Sequence, residues 1–561
     1  MNTQFLPVSK ADMRARGWED CDFLIITGDA YVDHPSFGPA IISRVLEAEG
    51  YRVAVLAQPD WKDPAAFTAL GRPRLGVMVS GGNIDSMVAH YTVAKKRRRD
   101  DAYSPGNQPG LRPDRATIVY ANMVRRVFGN IPLIIGGLEA SLRRFAHYDY
   151  WEDKVRRSIL FDSQADLLVY GMGETASRAI AARLASGTPV DQITDVRGTC
   201  FAGRHPGQCA YPMVEVPSFE TVCADKRAYA QANQVEYEEH DAVRGKAILQ
   251  KHGDRLLIAN PPAMPLTTAE LDAVFELPYV GEPHPMYDAM GGVPAIEEVR
   301  FSIIHNRGCF GACNFCSLAF HQGRTISARS HESVLREAER LVKHPGFKGY
   351  IHDVGGPTAN FRHPSCQKQL KAGMCRNRAC LSPQACPNLD ADETDYLKLL
   401  REIRAIPGVK KVFIRSGIRF DYLMQDRDGE FFAELVKYHV SGQLKVARST
   451  VSTGCWITWE SPMWRSMRSS GRSTSDSTGS TARSSTWCPT SSPLTRAALW
   501  TTRCGWPSGS TAPAVSPSRF RTSTPPPAPC PPVCTTPAWT PGPCSRSTSP
   551  PIPTRRPCSG P

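Results

Sequence analysis

Long apolar segments are absent from this sequence of 561 residues. No run approaches the roughly 18 to 20 residues that a membrane span needs, and the chain does not begin with a charged stretch followed by an apolar one, as a secretory signal would. We therefore expect a cytoplasmic protein with no membrane partner. In a reducing compartment, the 11 cysteines of residues 1–447 are expected to be thiols or metal ligands rather than disulfides.

Acidic residues are scarce in the last 114 residues. That stretch holds 12 Arg and no Lys, and its only acids are Glu460 and Asp476, so its net charge is +10 of the +13 carried by the whole chain. Residues 1–447 are therefore nearly neutral, which does not support a nucleic-acid partner. The basic segment 95–99 (KKRRR) is followed by Asp100 and Asp101, and we interpret it as a solvated loop.

Short apolar runs alternate with helical patterns in residues 1–190. This alternation predicts an α/β fold with an N-terminal open parallel, Rossmann-like sheet. Ligands of such sheets lie at the carboxyl ends of the strands. Five glycines fall there, although tight turns without a ligand explain them equally well: Gly28, Gly136, Gly137, Gly171 and Gly173.

The rest of the body divides into two parts. Residues 191–295 are mixed in pattern and contain the Pro-rich segment 260–265, so we predict a connector. From 296 to 447 the alternation resumes, with strands predicted at 298–304, 348–354, 410–415 and 444–447 and with helices near 331–343 and 393–406. This order predicts the first half of a β/α barrel.

Three cysteines, Cys309, Cys313 and Cys316, follow the first of these strands in CxxxCxxC spacing. Three thiolates so close together can bind three corners of a 4Fe-4S cluster and leave one iron free to chelate a substrate or cofactor. A structural zinc site would need four ligands, usually in paired CxxC motifs. The spacing therefore favours a cluster, on the face of the barrel where active sites occur.

Several segments of residues 1–447 carry a family resemblance, among them IIGGLEASLRRFAHYDYW, IHNRGCFGACNFCSLAFHQGR and VFIRSGIRFDY. They resemble the YgiQ-like branch of the radical S-adenosylmethionine (SAM) superfamily, in which Phe315 matches the aromatic residue before the last cysteine. The resemblance implies a radical SAM barrel whose cluster binds SAM and cleaves it to a 5'-deoxyadenosyl radical, which then abstracts hydrogen from a substrate, here unknown. It also implies an electron donor such as flavodoxin or ferredoxin.

The resemblance assigns four SAM contacts. Gly355 and Gly356 are similar to the glycine-rich segment that contacts the SAM amino group, although Pro357 replaces the usual acidic residue. Arg415 and Ser416 follow the third strand, a position from which such proteins commonly touch SAM. An ordinary salt bridge at the end of the strand is an equally good interpretation of this pair.

The resemblance also implies an N-terminal domain similar to cobalamin-binding domains. The segment 33–38 (DHPSFG) departs by its spacing from the DxHxxG cobalamin signature. His34 is therefore not assigned as a cobalt ligand, and cobalamin is a doubtful cofactor.

Four further cysteines lie in an insertion, 360–390, after the second barrel strand: Cys366, Cys375, Cys380 and Cys386. Four thiols within 21 residues favour a second metal site over plain loop cysteines. Their spacing fits no common zinc ribbon, so an auxiliary iron-sulfur cluster, a zinc site and thiol redox chemistry all stay open.

The last segment, 448–561, is rich in Ser, Thr, Pro and Arg, a composition typical of a disordered tail. Its seven Trp and seven Cys fit such a tail poorly. The resemblance predicts Pro-Glu-His after Ala447, and a reading frame displaced by one base permits that sequence. We therefore interpret the tail as frameshifted after Ala447, which would truncate the barrel and leave an unstable, inactive product.

Two functions of different class follow from these patterns. The first is a radical SAM enzyme of unknown substrate. The second is a non-catalytic metal or nucleic-acid binding protein, in which the cysteine sets are structural and the basic tail is the binding arm.

Overall fold

The computed structural model describes residues 4–313, 316–382, 384–426 and 429–440, together with the backbone of two strands at 445–448 and 488–491. In the described residues no helix is both long enough and apolar enough to cross a membrane. The chain is an α/β protein whose largest element is a mostly parallel sheet.

Nine strands of the N-terminal half form this sheet, and a separate hairpin accompanies it. The first seven strands of the chain, of which β5 and β6 make the hairpin, are β1 (Phe23–Thr27), β2 (Val53–Ala57), β3 (Gly76–Ser80), β4 (Leu133–Gly136), β5 (His147–Asp149), β6 (Lys154–Arg156) and β7 (Leu167–Val169). The next four are β8 (Thr199–Gly203), β9 (Met213–Val216), β10 (Ala247–His252) and β11 (Arg255–Ala259). The strand order is β2-β1-β3-β4-β7-β8-β11-β10-β9.

The first five strands in that order run parallel, and β8 and β11 join antiparallel. Strand β1 reads FLIIT and is buried along its whole length, as expected of a parallel strand covered on both faces. The chain adds β2 on one side of β1 and β3 on the other side. The strand order therefore reverses between β1 and β3, and such a switch point opens a crevice at the carboxyl ends of the strands.

Helices cover both faces of the sheet and bury two apolar cores against it. They are α1 (Lys10–Ala15), α2 (Gly38–Ala48), α3 (Pro64–Thr68), α4 (Ser86–His90), α5 (Ala116–Phe128), α6 (Gly137–Leu142), α7 (Ile159–Asp162), α8 (Glu174–Ala185), α9 (Phe219–Ala224) and α10 (Lys226–Glu239).

The predicted connector, 191–295, differs from the structure. Four strands of this segment, β8 to β11, extend the N-terminal sheet rather than link two domains. Pairing of Leu168 with Cys200 joins the two parts of the sheet. The buried residues Leu249, Leu257 and Ile258 explain the extension, because they carry both cores across the predicted boundary at residue 190.

The second unit is a set of short parallel strands backed by helices. Its strands are β12 (Ser302–Ile304), β13 (Asn306–Arg307), β14 (Ser327–Ala328), β15 (Tyr350–Ile351), β16 (Asp353–Gly355) and β17 (Lys411–Val412). Its helices are α11 (Thr268–Phe275), α12 (Ile296–Val299), α13 (Leu318–Gln322), α14 (His331–Val342), α15 (Gln367–Ala372), α16 (Thr394–Ala405), α17 (Phe420–Leu423) and α18 (Glu430–Glu434).

Four strands of this unit lie side by side in the order that a partial barrel requires. Strand β12 pairs in parallel with β16, β15 pairs in parallel with β17, and the Val354 amide donates to the Phe413 carbonyl. The strand predicted at 298–304 is shorter than expected, because residues 296–299 form helix α12.

The predicted fourth strand and tail are described only in part. Backbone strands β18 (Lys445–Arg448) and β19 (Cys488–Ser491) pair in parallel. The rest of the tail, and with it the prediction of disorder, lies outside the described residues.

Candidate functional site

A cavity of about 560 Å³ separates the carboxyl edge of the N-terminal sheet from the short strands of the second unit. Four of the glycines singled out in the sequence, Gly136, Gly137, Gly171 and Gly173, line it. Gly28 does not, and a Cβ there would approach the Gly81 carbonyl oxygen to 2.2 Å, so Gly28 allows close packing of two turns. The opposite wall comes from the ends of β12 and β16.

Backbone hydrogen bonds join the two ends of the loop that carries Cys309, Cys313 and Cys316. Strand β13 pairs antiparallel with β14, and the Cys309 amide donates to the Gly323 carbonyl at 3.1 Å. Gly308 has a φ of +84°, and a Cβ there would lie 2.1 Å from the Thr325 oxygen. Only glycine therefore fits at the point where the chain turns from β13 into the cysteine loop.

Polar groups contact two of the three thiols. The Cys309 Sγ lies 3.3 Å from the Thr358 hydroxyl. The Arg419 Nη1 donates to the Cys313 Sγ at 2.7 Å, and the same guanidinium donates to Asp421 through Nη2 at 2.8 Å. The Asp421 carboxylate therefore orients a cation against a sulfur, an arrangement that favours the thiolate needed for a metal ligand.

Burial opposes ionisation of these thiols in the protein alone. It raises the pKa of Cys313, an effect that Arg419 reduces, and it raises the pKa of Cys316 to about 11. Phe315, the predicted aromatic neighbour, lies outside the described residues. A cation bound by the thiolates would reverse this preference for the protonated form.

The second cysteine set lies in the insertion, around helix α15. Cys366 caps the start of that helix, and the Cys386 amide donates to the Cys380 carbonyl at 2.9 Å. Burial raises the pKa of Cys380, and the thiols of the other three cysteines raise it further, which indicates that all four are near one another. In the part of the chain that the structure describes, neither cysteine set nor any other group of His, Cys, Asp and Glu converges closely enough to hold a metal ion.

The Gly355–Gly356 turn ends strand β16 and lies against two side chains. A Cβ on Gly355 would lie 2.1 Å from the Ser416 Oγ, and a Cβ on Gly356 would lie 1.7 Å from the Asn306 Oδ1. Both glycines and Ser416 line the cavity together with Pro357. In the predicted SAM-contact segment, Ser416 and Asn306 therefore leave no room for a side chain at Gly355 or Gly356.

Arg415 and Ser416 are held by carboxylates. Their backbone amides donate to the Asp353 Oδ1 at 2.8 and 3.1 Å, and the Ser416 hydroxyl donates to the other Asp353 oxygen. Burial raises the pKa of Asp353, although these donors counteract the effect. The half-exposed Arg415 guanidinium pairs with Glu298 at 3.0 Å, which is the salt bridge considered as an alternative from the sequence.

Two buried oxygens at the cavity wall lack hydrogen-bond partners among the described residues, and the sequence had indicated neither of them. They are the Glu174 Oε2 and the Asn306 Oδ1. The other Glu174 oxygen accepts a bond of 2.5 Å from Arg307, and Asn306 donates to the Thr358 carbonyl at 3.0 Å. In the sequence, Glu174 ends the segment GMGE after a predicted strand, and Asn306 lies in the segment HNR before the cysteines. Only the fold shows that these two segments line one cavity.

Two other sequence candidates do not line this cavity, although Pro35 and Ser36, next to His34, do. His34 is buried, its Nδ1 accepts from the Ser36 amide at 3.1 Å, and burial lowers its pKa to about 4. In the basic segment, the Lys95 ammonium lies 4.8 Å from the centroid of the Tyr150 ring and donates to the Trp151 carbonyl.

Comparison with known proteins identifies related sequences. A family model described as Radical SAM N-terminal matches residues 5–302. A UPF0313 protein of Clostridium botulinum (strain ATCC 19397 / Type A) is 56% identical over 451 residues, which cover 80% of this chain and 70% of that protein. A UPF0313 protein of Clostridium perfringens (strain 13 / Type A) is 54% identical over 449 residues, which cover 80% of this chain and 68% of that protein.

Solved structures show weaker similarity. The radical SAM methyltransferase TsrM from Kitasatospora setae, with its tryptophan substrate and a SAM analogue, aligns with a TM-score of 0.41 at 14% identity, over 80% of this chain and 66% of that one. The cobalamin-dependent SAM radical enzyme OxsB, with aqua-cobalamin and SAM bound, aligns with a TM-score of 0.41 at 10% identity, over 80% of this chain and 46% of that one.

Proposed function

Since this chain belongs to the UPF0313 family and its residues 5–302 match the Radical SAM N-terminal family, we propose that it is a radical SAM enzyme with a 4Fe-4S cluster on Cys309, Cys313 and Cys316. One observation carries the proposal: Asn306 and Arg307, which lead into the cysteine loop, line the same cavity as the Gly355–Gly356 turn. When bound and reduced, such a cluster supplies the electron that cleaves SAM to a 5'-deoxyadenosyl radical. The reductant we propose is a flavodoxin or a ferredoxin.

The residues around the thiols fit this cofactor. Arg419 brings a positive charge to Cys313, and the Thr358 hydroxyl can donate to Cys309, so both sulfurs have partners that stabilise the thiolate. The role of Arg419 in this proposal is to hold Cys313 in place, since Asp421 fixes its guanidinium from the other side.

The glycine turn fits the amino end of SAM. Pro357 has no carboxylate to accept from an ammonium group, but the unpartnered Asn306 Oδ1 lies against Gly356 and supplies an acceptor at that point. We therefore extend the proposed SAM contacts from Gly355, Gly356 and Ser416 to Asn306. Arg415 would serve SAM only after leaving Glu298.

The test is anaerobic reconstitution, with iron and sulfide, of the purified protein whose reading frame after Ala447 has been restored. Iron analysis follows, and then an assay for 5'-deoxyadenosine after addition of SAM and dithionite. We expect a cluster and 5'-deoxyadenosine from this restored wild type, and neither from its Cys309→Ala variant. Cys209→Ala is the matched control, because Cys209 is another half-buried thiol that lies outside the loop. If Cys309→Ala kept the iron content of the wild type, the proposal would be wrong.

We further propose that the four cysteines of the insertion bind a second metal. The insertion has one short helix and a small apolar cluster around Phe361 and Met374, so a metal would add stability that its core does not supply. Iron and zinc analysis of Cys380→Ser against Cys223→Ser, an exposed thiol elsewhere, tests this. We expect Cys380→Ser alone to lose metal, and equal metal contents would contradict the second site.

A further inference from the structure

The hydrogen bonding around Glu174 is incomplete in a way that points to a ligand. Glu174 is the first residue of helix α8 and is only 2% exposed. Its Oε1 accepts from Arg307, which reaches across from the second unit, while its Oε2 has no partner among the residues that the structure describes. A buried carboxylate oxygen without a donor costs free energy, and native proteins rarely leave one without a reason.

The other charged residues that line the cavity are also mostly acidic. Its described charged lining consists of three acids, Glu174, Glu298 and Asp353, and one base, Arg307. No buried side-chain donor among the described lining residues lacks a partner, whereas two acceptors do. His321 adds no positive charge near neutral pH, because burial lowers its pKa to about 4.

Apolar side chains form much of the remaining wall. The parallel strands contribute Ile25, Met78, Ile135 and Val169, and helix α13 contributes Leu318. A ligand complementary to the whole cavity therefore has an apolar body and a group that donates hydrogen bonds. A cationic donor suits it better than a neutral one, because hydrogen bonds from a charged donor to a carboxylate such as that of Glu174 are the stronger ones.

The two unpartnered acceptors belong to different parts of the cavity. Asn306 Oδ1 lies against Gly356, in the part proposed above for SAM. Glu174 belongs to the wall built by the N-terminal sheet, beside Gly171 and Gly173. Only the Glu174 oxygen is therefore left for a second ligand.

We propose that the substrate of this enzyme is an amine with an apolar body, and that Glu174 Oε2 binds its protonated nitrogen. This inference rests on the proposed function, because it takes the cavity as the place where substrate lies opposite SAM. Glu174 is a binding residue in it, and Arg307 is a positioning residue that holds the carboxylate by its other oxygen.

The test uses n-hexylammonium as a probe, with hexanoate as the anionic comparison of equal length, in calorimetric titrations of the full chain with its reading frame after Ala447 restored, without cluster or SAM. We expect hexylammonium to bind and hexanoate to bind at least about tenfold more weakly, since one charge-assisted hydrogen bond accounts for such a ratio. Glu174→Gln should weaken hexylammonium binding by about the same factor.

Glu239→Gln is the matched control. Glu239 is a buried glutamate of the same unit that also accepts from an arginine of the second unit, Arg376 at 2.7 Å, but it does not line the cavity. We expect it to keep the wild-type affinity for hexylammonium. If Glu174→Gln fails to fold, Ser177→Leu serves as a second variant. Ser177 lies on the next turn of α8 and lines the cavity, so a leucine side chain there would occupy the space beside Glu174 and should abolish hexylammonium binding.

Three results would overturn the inference: equal binding of hexanoate, unchanged binding in Glu174→Gln, or an equal loss in Glu239→Gln. The cluster assay distinguishes these from failure of the proposed function. A wild type that takes up iron and cleaves SAM but shows no preference for the ammonium contradicts only the substrate class. A wild type that takes up no iron contradicts the radical SAM proposal.

Discussion

Single arginines hold several of the buried acidic groups of this protein. Arg112 binds both Asp29 and Asp101 with its side chain fully buried. Arg307 and Arg419 do the same for Glu174 and for the Cys313 thiol at the proposed site. A guanidinium presents several donors in a fixed plane and stays charged when buried, so Lys would not replace it at these positions.

Substitution of Gly356 by Ala, which adds one methyl group, should weaken SAM binding and leave cluster binding unchanged. In Gly356→Ala the new Cβ would overlap the Asn306 Oδ1, so the turn must shift, at a cost of about 1–3 kcal/mol. We expect a reconstituted variant with normal iron content and strongly weakened SAM affinity, measured by equilibrium binding of labelled SAM. Gly417→Ala, in open space one strand away, should bind SAM normally.

His252 predicts a pH dependence of stability. Its ring lies between Phe161 and Phe219, and burial lowers its pKa from 6.5 to about 4. Between those values the unfolded chain binds the proton and the folded chain does not, so stability falls as the pH is lowered through this range. His252→Phe keeps the aromatic packing and should remove about 2 kcal/mol of the loss in stability between pH 7 and pH 5.

Urea unfolding of both proteins at the two pH values measures this effect. His205→Gln, at an exposed position, is the control and should retain the full pH dependence of the wild type. An unchanged pH dependence in His252→Phe would show that the ring is already protonated in the folded protein.

At the scale of elements, the cysteine-rich insertion is attached to the N-terminal unit just after helix α10. The Met374 amide donates to the Asp241 Oδ2 at 2.6 Å, and the Arg244 Nε donates to the Met374 carbonyl at 3.1 Å. Gly373 has a φ of +69°, and a Cβ there would meet the same carboxylate. These contacts position a segment that has little regular structure of its own.

Asp241→Ala should release the insertion. We expect trypsin to cut after Lys371, Arg376 or Arg378 about tenfold faster than in the wild type, because the buried Met374 amide loses its acceptor. Limited proteolysis with mass spectrometry locates the cuts. Asp254→Ala, on the exposed turn between β10 and β11, should leave the rate unchanged. Equal rates in the two variants would show that Asp241 does not hold the insertion.

Elements with a strong local pattern agree best with expectation. Helices α14 and α16 begin and end within one residue of the bounds predicted from the sequence; the predicted end of α14 was Lys343. The prediction succeeds because the spacing of apolar residues and the polar residues at each end of a helix are properties of the local sequence. The strand predicted at 298–304 shrank to three residues, since the acidic start of α12 favours a helical turn. The connector was wrong because strand pairing across the sheet involves residues distant in sequence.

At the scale of the whole molecule, the reading frame after Ala447 decides which polypeptide exists. We expect resequencing of codons 440–460 to restore one base, so that Pro-Glu-His follows Ala447. The restored product should be soluble and should bind SAM, because a completed barrel buries the apolar faces of its strands. Its expression beside the present chain measures this. An unchanged DNA sequence would mean that the gene itself encodes the truncated barrel, and we then expect an insoluble or inactive product.

The sequence by itself determined the features that depend on near neighbours: the three-cysteine spacing, the alternation of strands and helices, and the family resemblance that the comparisons confirm. The tertiary structure alone decided which distant side chains meet. Glu174 and Arg307 are 133 positions apart, and Cys313 and Arg419 are 106 apart. Such contacts form where sheet and barrel strands end at one cavity, and no local pattern encodes that meeting, because it depends on packing of the whole chain.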